Sequence, residues 1–400
     1  MPRNDNLIKN GHTSFGDLLK SILYQYDNNI FEVLSFDDDE IFTDPFFYAM
    51  FNLNESNHFQ EKENRRLMIN SILFGYSHMP EYKALGVEIS TDSCGRFYIP
   101  RKGWFLTTLI NENIFIIEAN NNIILKHNDN IIEYSFEPTK FIKNSSIEVM
   151  KYRHPLFSQF YPNEIYNNIN FEGANEKHLS NLEKAFDILE KHCNSVFNTI
   201  RNVLKRVVLF DISPEWTNSF MSRSAYGAAF FNCYQEEYDE IFLIEDIVHQ
   251  TGHVIFEALI FDRESIFKVD HNTILESNEF EDRTIEVFFH ALYTYSLILY
   301  SLTSCHKSNI FEGLKVKELE GRILYTIIKA RHDLETITNE KAHQYFTELG
   351  LEIFTDIKEK IQGLSKDYAN LNELYTLKNQ PYNFTLSIFM EENTFASKNN

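Results

Sequence analysis

Along the first 80 residues apolar positions recur at spacings of three and four. Phe15, Leu18, Leu19, Ile22 and Leu23 make one helical face, and Leu67, Ile69, Ile72 and Leu73 suggest another beyond an acidic turn at Asp37 to Glu40. From about Gly86 the rhythm changes to short apolar runs such as Phe97-Tyr98-Ile99, 114–117 and 123–125. Asn-rich stretches at 120–122 and 128–130 separate them, which predicts hairpins up to about Met150. Residues 154–173, rich in Pro, Asn and Tyr, read as a connection, followed by a helix over about 175–205 and strands at 207–210 and 225–234. Helical spacing then returns at 244–259, in a long apolar segment at 282–302, and again at 314–338 and 340–363, before a polar tail from Asn379. The expected fold class is α+β and mainly helical, with a helical region at 1–85, a β-rich insert at 86–153 and a mainly helical region at 154–400.

Composition narrows the picture. The 400 residues suffice for two or three units with substantial cores. Cys94, Cys193, Cys233 and Cys305 are scattered without CxxC spacing, which argues for a reducing cytoplasm and against a disulfide framework or zinc finger. No run of 18 apolar residues and no signal-like N-terminus is present, so a soluble cytoplasmic protein with no membrane partner is expected. The net charge of −21 argues against a nucleic-acid partner, since phosphate binding needs a basic surface. It suits a basic peptide, or simply solubility. The chain carries no P-loop, Rossmann glycine fingerprint or Gly-x-Ser-x-Gly elbow.

The densest chemistry is at 245–257, where His249 and His253 stand four apart in a segment of helical period. Such positions are neighbours, with Cβ atoms roughly 5–6 Å apart, so both rings can reach one metal; the alternative is two histidines placed by chance. In the familiar His-Glu-x-x-His form the Glu serves as base for a zinc hydrolase. Here Gln250 holds that position. An amide is no base, but it can hydrogen-bond a neighbouring ligand. A third ligand could come from His290, in the middle of the long apolar segment among Phe and Tyr; the alternative is a core histidine bonded to a carbonyl or a Tyr. Glu257, Glu286 and His271 are further ligand candidates. Gly252, between the two histidines, either admits a close approach by substrate or permits packing. Strand, strand, then ligand helix is the order of a zincin-like site, which would set Ser224 and Tyr226 near a substrate.

These residues resemble the His-Glu-x-x-His peptide-modification family, α-ketoglutarate-dependent peptide β-hydroxylases that act on ribosomally made peptides. The resemblance runs over about residues 220–300. It joins Ser222-Arg223-Ser224-Ala225-Tyr226-Gly227, the segment from His249 to His253, and Arg283-Thr284-Ile285-Glu286-Val287-Phe288-Phe289-His290. Gln250 stands where the family has Glu, and Thr284 where it has Pro. The resemblance implies iron(II) held by His249, His253 and His290, α-ketoglutarate held through Arg283, and a precursor peptide as substrate. The other readings are a non-catalytic peptide-binding protein with a decayed site and, third, a zinc peptidase-like protein.

Overall fold

The structure, a computed structural model, describes residues 4–51, 62–275, 283–337 and 339–393. The protein is mixed α+β and mainly helical, with a β-rich N-terminal region. The helices of ten or more residues are α1 (Asp5–Tyr26), α2 (Lys62–Tyr76), α3 (Phe171–His192), α4 (Asn194–Val203), α5 (Glu240–Leu259), α6 (Ile285–Lys307), α7 (Leu314–Thr336) and α8 (Glu348–Asp367). By contacts the chain divides into two compact units, one of Met1–Gly11, Ser180–Ile200 and Glu237–Asn400, the other of His12–Leu179 and Arg201–Glu236.

The second unit holds the eleven described strands. One antiparallel sheet runs β1 (Val87–Ser90), β4 (Asn113–Ala119), β5 (Asn122–His127), β6 (Asn130–Ile132); another runs β2 (Arg96–Ile99), β3 (Gly103–Leu106), β7 (Ser135–Pro138). In the third, β9 (Glu148–Met150), β10 (Arg206–Phe210) and β11 (Ala228–Asn232) are parallel neighbours, with β8 (Lys140–Phe141) antiparallel to β9. The Asn-rich turns are the expected hairpins. Ala119 pairs with Asn122 and His127 with Asn130, leaving Asn120, Asn121, Asn128 and Asp129 at positive φ, as two-residue turns matching the strand twist require. Gly103 has no alternative, because a Cβ there would sit 2.1 Å from the Glu137 carbonyl oxygen.

Four expected elements are corrected. The helix over 340–363 is two, Asn339–Tyr345 and α8, because Thr347 is extended and its hydroxyl accepts from the Gly350 amide. The helix over 175–205 is two helices, α3 and α4, interrupted at Cys193. The strand over 225–234 is the shorter β11, because Ser222 caps a 3-10 turn at Arg223–Ala225 and Gly227, at φ 91°, turns the chain before the strand. The long apolar helix begins at Ile285, not 282: Thr284 is extended and its hydroxyl accepts from the Val287 amide, so Arg283 lies before the helix. The expected helix end at residue 338 and the closing polar stretch 394–400 lie outside the described residues.

In the first unit α6 packs against α5, α7 and α8. It is the one described helix long and apolar enough to cross a membrane, and 72% of its most apolar window is buried inside the protein. Core placement accounts for that apolarity.

Candidate functional site

Helix α5 starts at Glu240, earlier than its apolar spacing suggests, because the Asp239 carboxylate accepts from the Ile241 amide at 2.8 Å. From Phe242 to Leu259 the helix is buried except for Phe242, Glu245, His249 and His253, which repeat at three and four and form one partly exposed stripe. The two imidazoles therefore stand on the partly exposed stripe of this stretch of α5. Their ring centroids are 4.7 Å apart.

Helix α6 runs antiparallel to α5. His253 meets His290, Arg263 bridges Glu257 to Glu286, and Gly252 faces Thr294 and Leu297, so contacts ascend one helix as they descend the other. The His253 and His290 centroids are 4.0 Å apart, with His253 Nδ1 in contact with His290 Nε2. Phe256 stacks on the His290 ring at 4.9 Å and holds its orientation. Gly252 serves packing: a Cβ there would lie 3.2 Å from Thr294 Cγ2 and 3.3 Å from Leu297 Cδ1.

Burial lowers the His249 pKa to about 4, with the Lys329 charge adding to it. His253 is pushed well below the usual range by burial first, then by His290 and His249. Both rings are thus neutral at pH 7, with a lone pair to offer. Gln250 is buried; its amide donates to Asp246 Oδ1 at 3.0 Å and lies 3.5 Å from His249 Nδ1, tethering that ring to α5.

The remaining candidates in this unit are paired with other groups. Glu257 and Glu286, both buried, are joined by Arg263 at 3.2 and 2.7 Å, and His271 Nε2 lies 3.9 Å from Glu286. Arg283 contacts both oxygens of Asp333 on α7 at 3.3 Å. Because Arg283 precedes the helix, it does not share a helix face with His290. Ser224 and Tyr226 belong to the other unit. Tyr226 is fully buried, stacked on Phe15 at 4.0 Å with its hydroxyl 2.8 Å from His12 Nδ1. Among the described residues no group of three or more His, Cys, Asp or Glu is disposed to hold a metal ion. The nitrogens of His253 and His290 face each other as a hydrogen-bonded pair.

Lys329 escaped the sequence reading. It lies one turn before Asp333 on α7, donates to the Tyr382 carbonyl at 3.1 Å, has its ammonium 4.0 Å from the Tyr382 ring centroid, and acts electrostatically on His249. The available signal was charge at core-facing spacing: Glu318, Arg322, Lys329 and Asp333 recur at four and seven along a helix whose other buried positions are apolar except Thr326. The chain matches no protein-family model and no curated protein.

Proposed function

We propose that the protein is an iron(II)- and α-ketoglutarate-dependent oxygenase that hydroxylates a β-carbon in a ribosomally made precursor peptide, in the cytoplasm. The observation that carries this reading is the run of ring contacts from His249 to His253 on α5 and from His253 to His290 on α6, along a partly exposed stripe of α5. The donor types suit the ion, and holding it requires His253 and His290 to give up their mutual hydrogen bond. Imidazole is a good iron ligand, and burial keeps at least two of these rings unprotonated at neutral pH. His249, His253 and His290 would hold iron(II), in a zincin-like strand-then-helix order of elements. When bound, iron with α-ketoglutarate and dioxygen supplies the oxidising power for C–H hydroxylation, while the keto acid becomes succinate and carbon dioxide.

The chain's own residues do the rest. Gln250 orients His249 and offers no general base, which removes the hydrolytic route and ranks a zinc peptidase last. Lys329 and Arg283 supply positive charge for a dicarboxylate, and Arg283 must share its fork with Asp333. Burial raises the Asp333 pKa despite Arg283, which eases displacement of that carboxyl by the cosubstrate.

A non-catalytic peptide-binding protein is the second reading. It is favoured by the two pairings already made, His253 with His290 and Arg283 with Asp333. Anaerobic addition of iron(II) and α-ketoglutarate separates the two. A visible metal-to-ligand absorption band, lost in His290→Ala, supports the oxygenase; absence of any band in a protein that still binds peptide supports the second reading.

A further inference from the structure

In the unit that carries the sheets, a pocket of about 320 Å³ opens where β10 begins, lined by Glu40, Arg101, Phe141, Ser146, Lys205 and Arg206 among others. Three cationic side chains converge on it, and the nearby acids leave them unevenly compensated. Arg206, 1% exposed, pairs through Nη1 with Asp44 at 2.7 Å and through Nη2 with Glu148 at 2.9 Å. Both carboxylates are then used up. Asp44 also accepts from the Tyr76 hydroxyl and the Phe46 amide, and Glu148 from the Tyr98 hydroxyl and the Arg101 amide.

That leaves Lys205. Among the described residues its half-buried ammonium makes no hydrogen bond and no ion pair; Glu40 and Asp44 act on it only at longer range. Burial, and then the charges of Arg101 and Arg206, press its pKa down. An uncompensated buried ammonium is costly. Arg101 is exposed and only loosely paired, its guanidinium 3.6 Å from the half-exposed Asp38 and 3.9 Å from the exposed Glu40. The backbone at Arg101 is held at φ 63°, an unfavourable conformation for a residue with a Cβ, and its guanidinium lies over the Tyr76 ring at 4.7 Å. The Nε of Arg206 also lacks a hydrogen-bond partner.

The geometry points to this pocket as a binding site for a small organic oxyanion, a carboxylate or a phosphate monoester, whose charge is taken by Lys205 and Arg101. Its volume exceeds that of the anionic group alone, and Phe141 and Tyr76 offer apolar surface for a short organic body. The site owes nothing to the histidine cluster and stands whether or not that cluster binds iron.

Calorimetric titration of the full chain with inorganic phosphate, and separately with citrate, at ionic strength held constant with sodium chloride, tests it. At least one anion should bind saturably in the range of about 10 mM or below, and the stronger of the two identifies phosphate or carboxylate as the recognised group. Lys205→Met should weaken that binding at least about tenfold while Lys205→Arg keeps it within about threefold. Arg101→Gln, on a partly exposed turn, gives a parallel measure that does not depend on the Lys205 variants folding. No saturable binding of either anion, or binding unchanged in both Lys205→Met and Arg101→Gln, overturns the assignment.

Discussion

Gln250 lies one residue after His249, with its amide between that ring and Asp246. Replacing it by Glu would restore the familiar motif and yet set a second carboxylate against a buried Asp246, so the change should cost stability and create no hydrolase. Urea unfolding of Gln250→Glu is expected to show a loss of about 1–3 kcal/mol at pH 8. The loss should shrink toward pH 5, because like charge raises a carboxyl's folded pKa and protonation then relieves it. His154 tests burial in the other unit. It is stacked on Phe46 at 4.1 Å, its Nδ1 accepts from the Leu156 amide, and burial followed by the Arg206 charge lowers its pKa to about 3. A folded pKa depressed below 6.5 means that the unfolded chain binds the proton more readily. The stabilisation is therefore whole above pH 6.5 and lost as pH falls toward 3. Between pH 7 and about pH 4 the unfolding free energy should drop by roughly 2–4 kcal/mol more in the native protein than in His154→Gln. Equal pH slopes would remove His154 from the account; His12, whose pKa is likewise lowered by burial, contributes a slope with the same sign to both proteins.

At the scale of elements, the α5–α6 crossing carries the site, and Gly252 sets how closely the two helices approach. Gly252→Val should push against Thr294 and Leu297 and cost about 1–3 kcal/mol, whereas a glycine that served only to admit substrate would tolerate it with stability unchanged. Asp239→Ala should cost about 1 kcal/mol through loss of the α5 cap; it also removes the 3.0 Å ion pair with Lys315. Thermal and urea denaturation measure both. These elements also mark how far the sequence could be read. The facing of His249 and His253 followed from four-residue spacing alone, and the hairpin turns followed from adjacent Asn and Asp residues, because both depend on local geometry. The start of α6 did not follow, since apolar periodicity carries no information about whether Thr284 will cap or continue a helix. Its φ of −74° is one that proline also adopts, so Thr in place of Pro costs the helix start little.

Across the whole molecule, what stayed hidden is what depends on distant pairing. Arg283 finds Asp333 fifty residues away, Arg206 finds Asp44 across 162, and Lys329 reaches His249 from another helix. Charge at helical spacing marks Lys329 and Asp333 as inward-facing, but no local spacing names the partner of any of the three. The mainly helical α+β character with a β-rich N-terminal region was legible, because it rests on periodicity summed over many windows. The chain's division into two units built from interleaved segments was not, because contact between distant segments has no linear signature.

Titration with cobalt(II), a spectroscopic substitute for iron(II), tests the central claim most directly, because its visible bands report coordination by imidazole without any turnover. One equivalent should bind, and affinity should fall about a hundredfold in each of His249→Ala, His253→Ala and His290→Ala. Cobalt bound as tightly by folded His290→Ala as by the native protein, or not bound by the native protein at all, would contradict it.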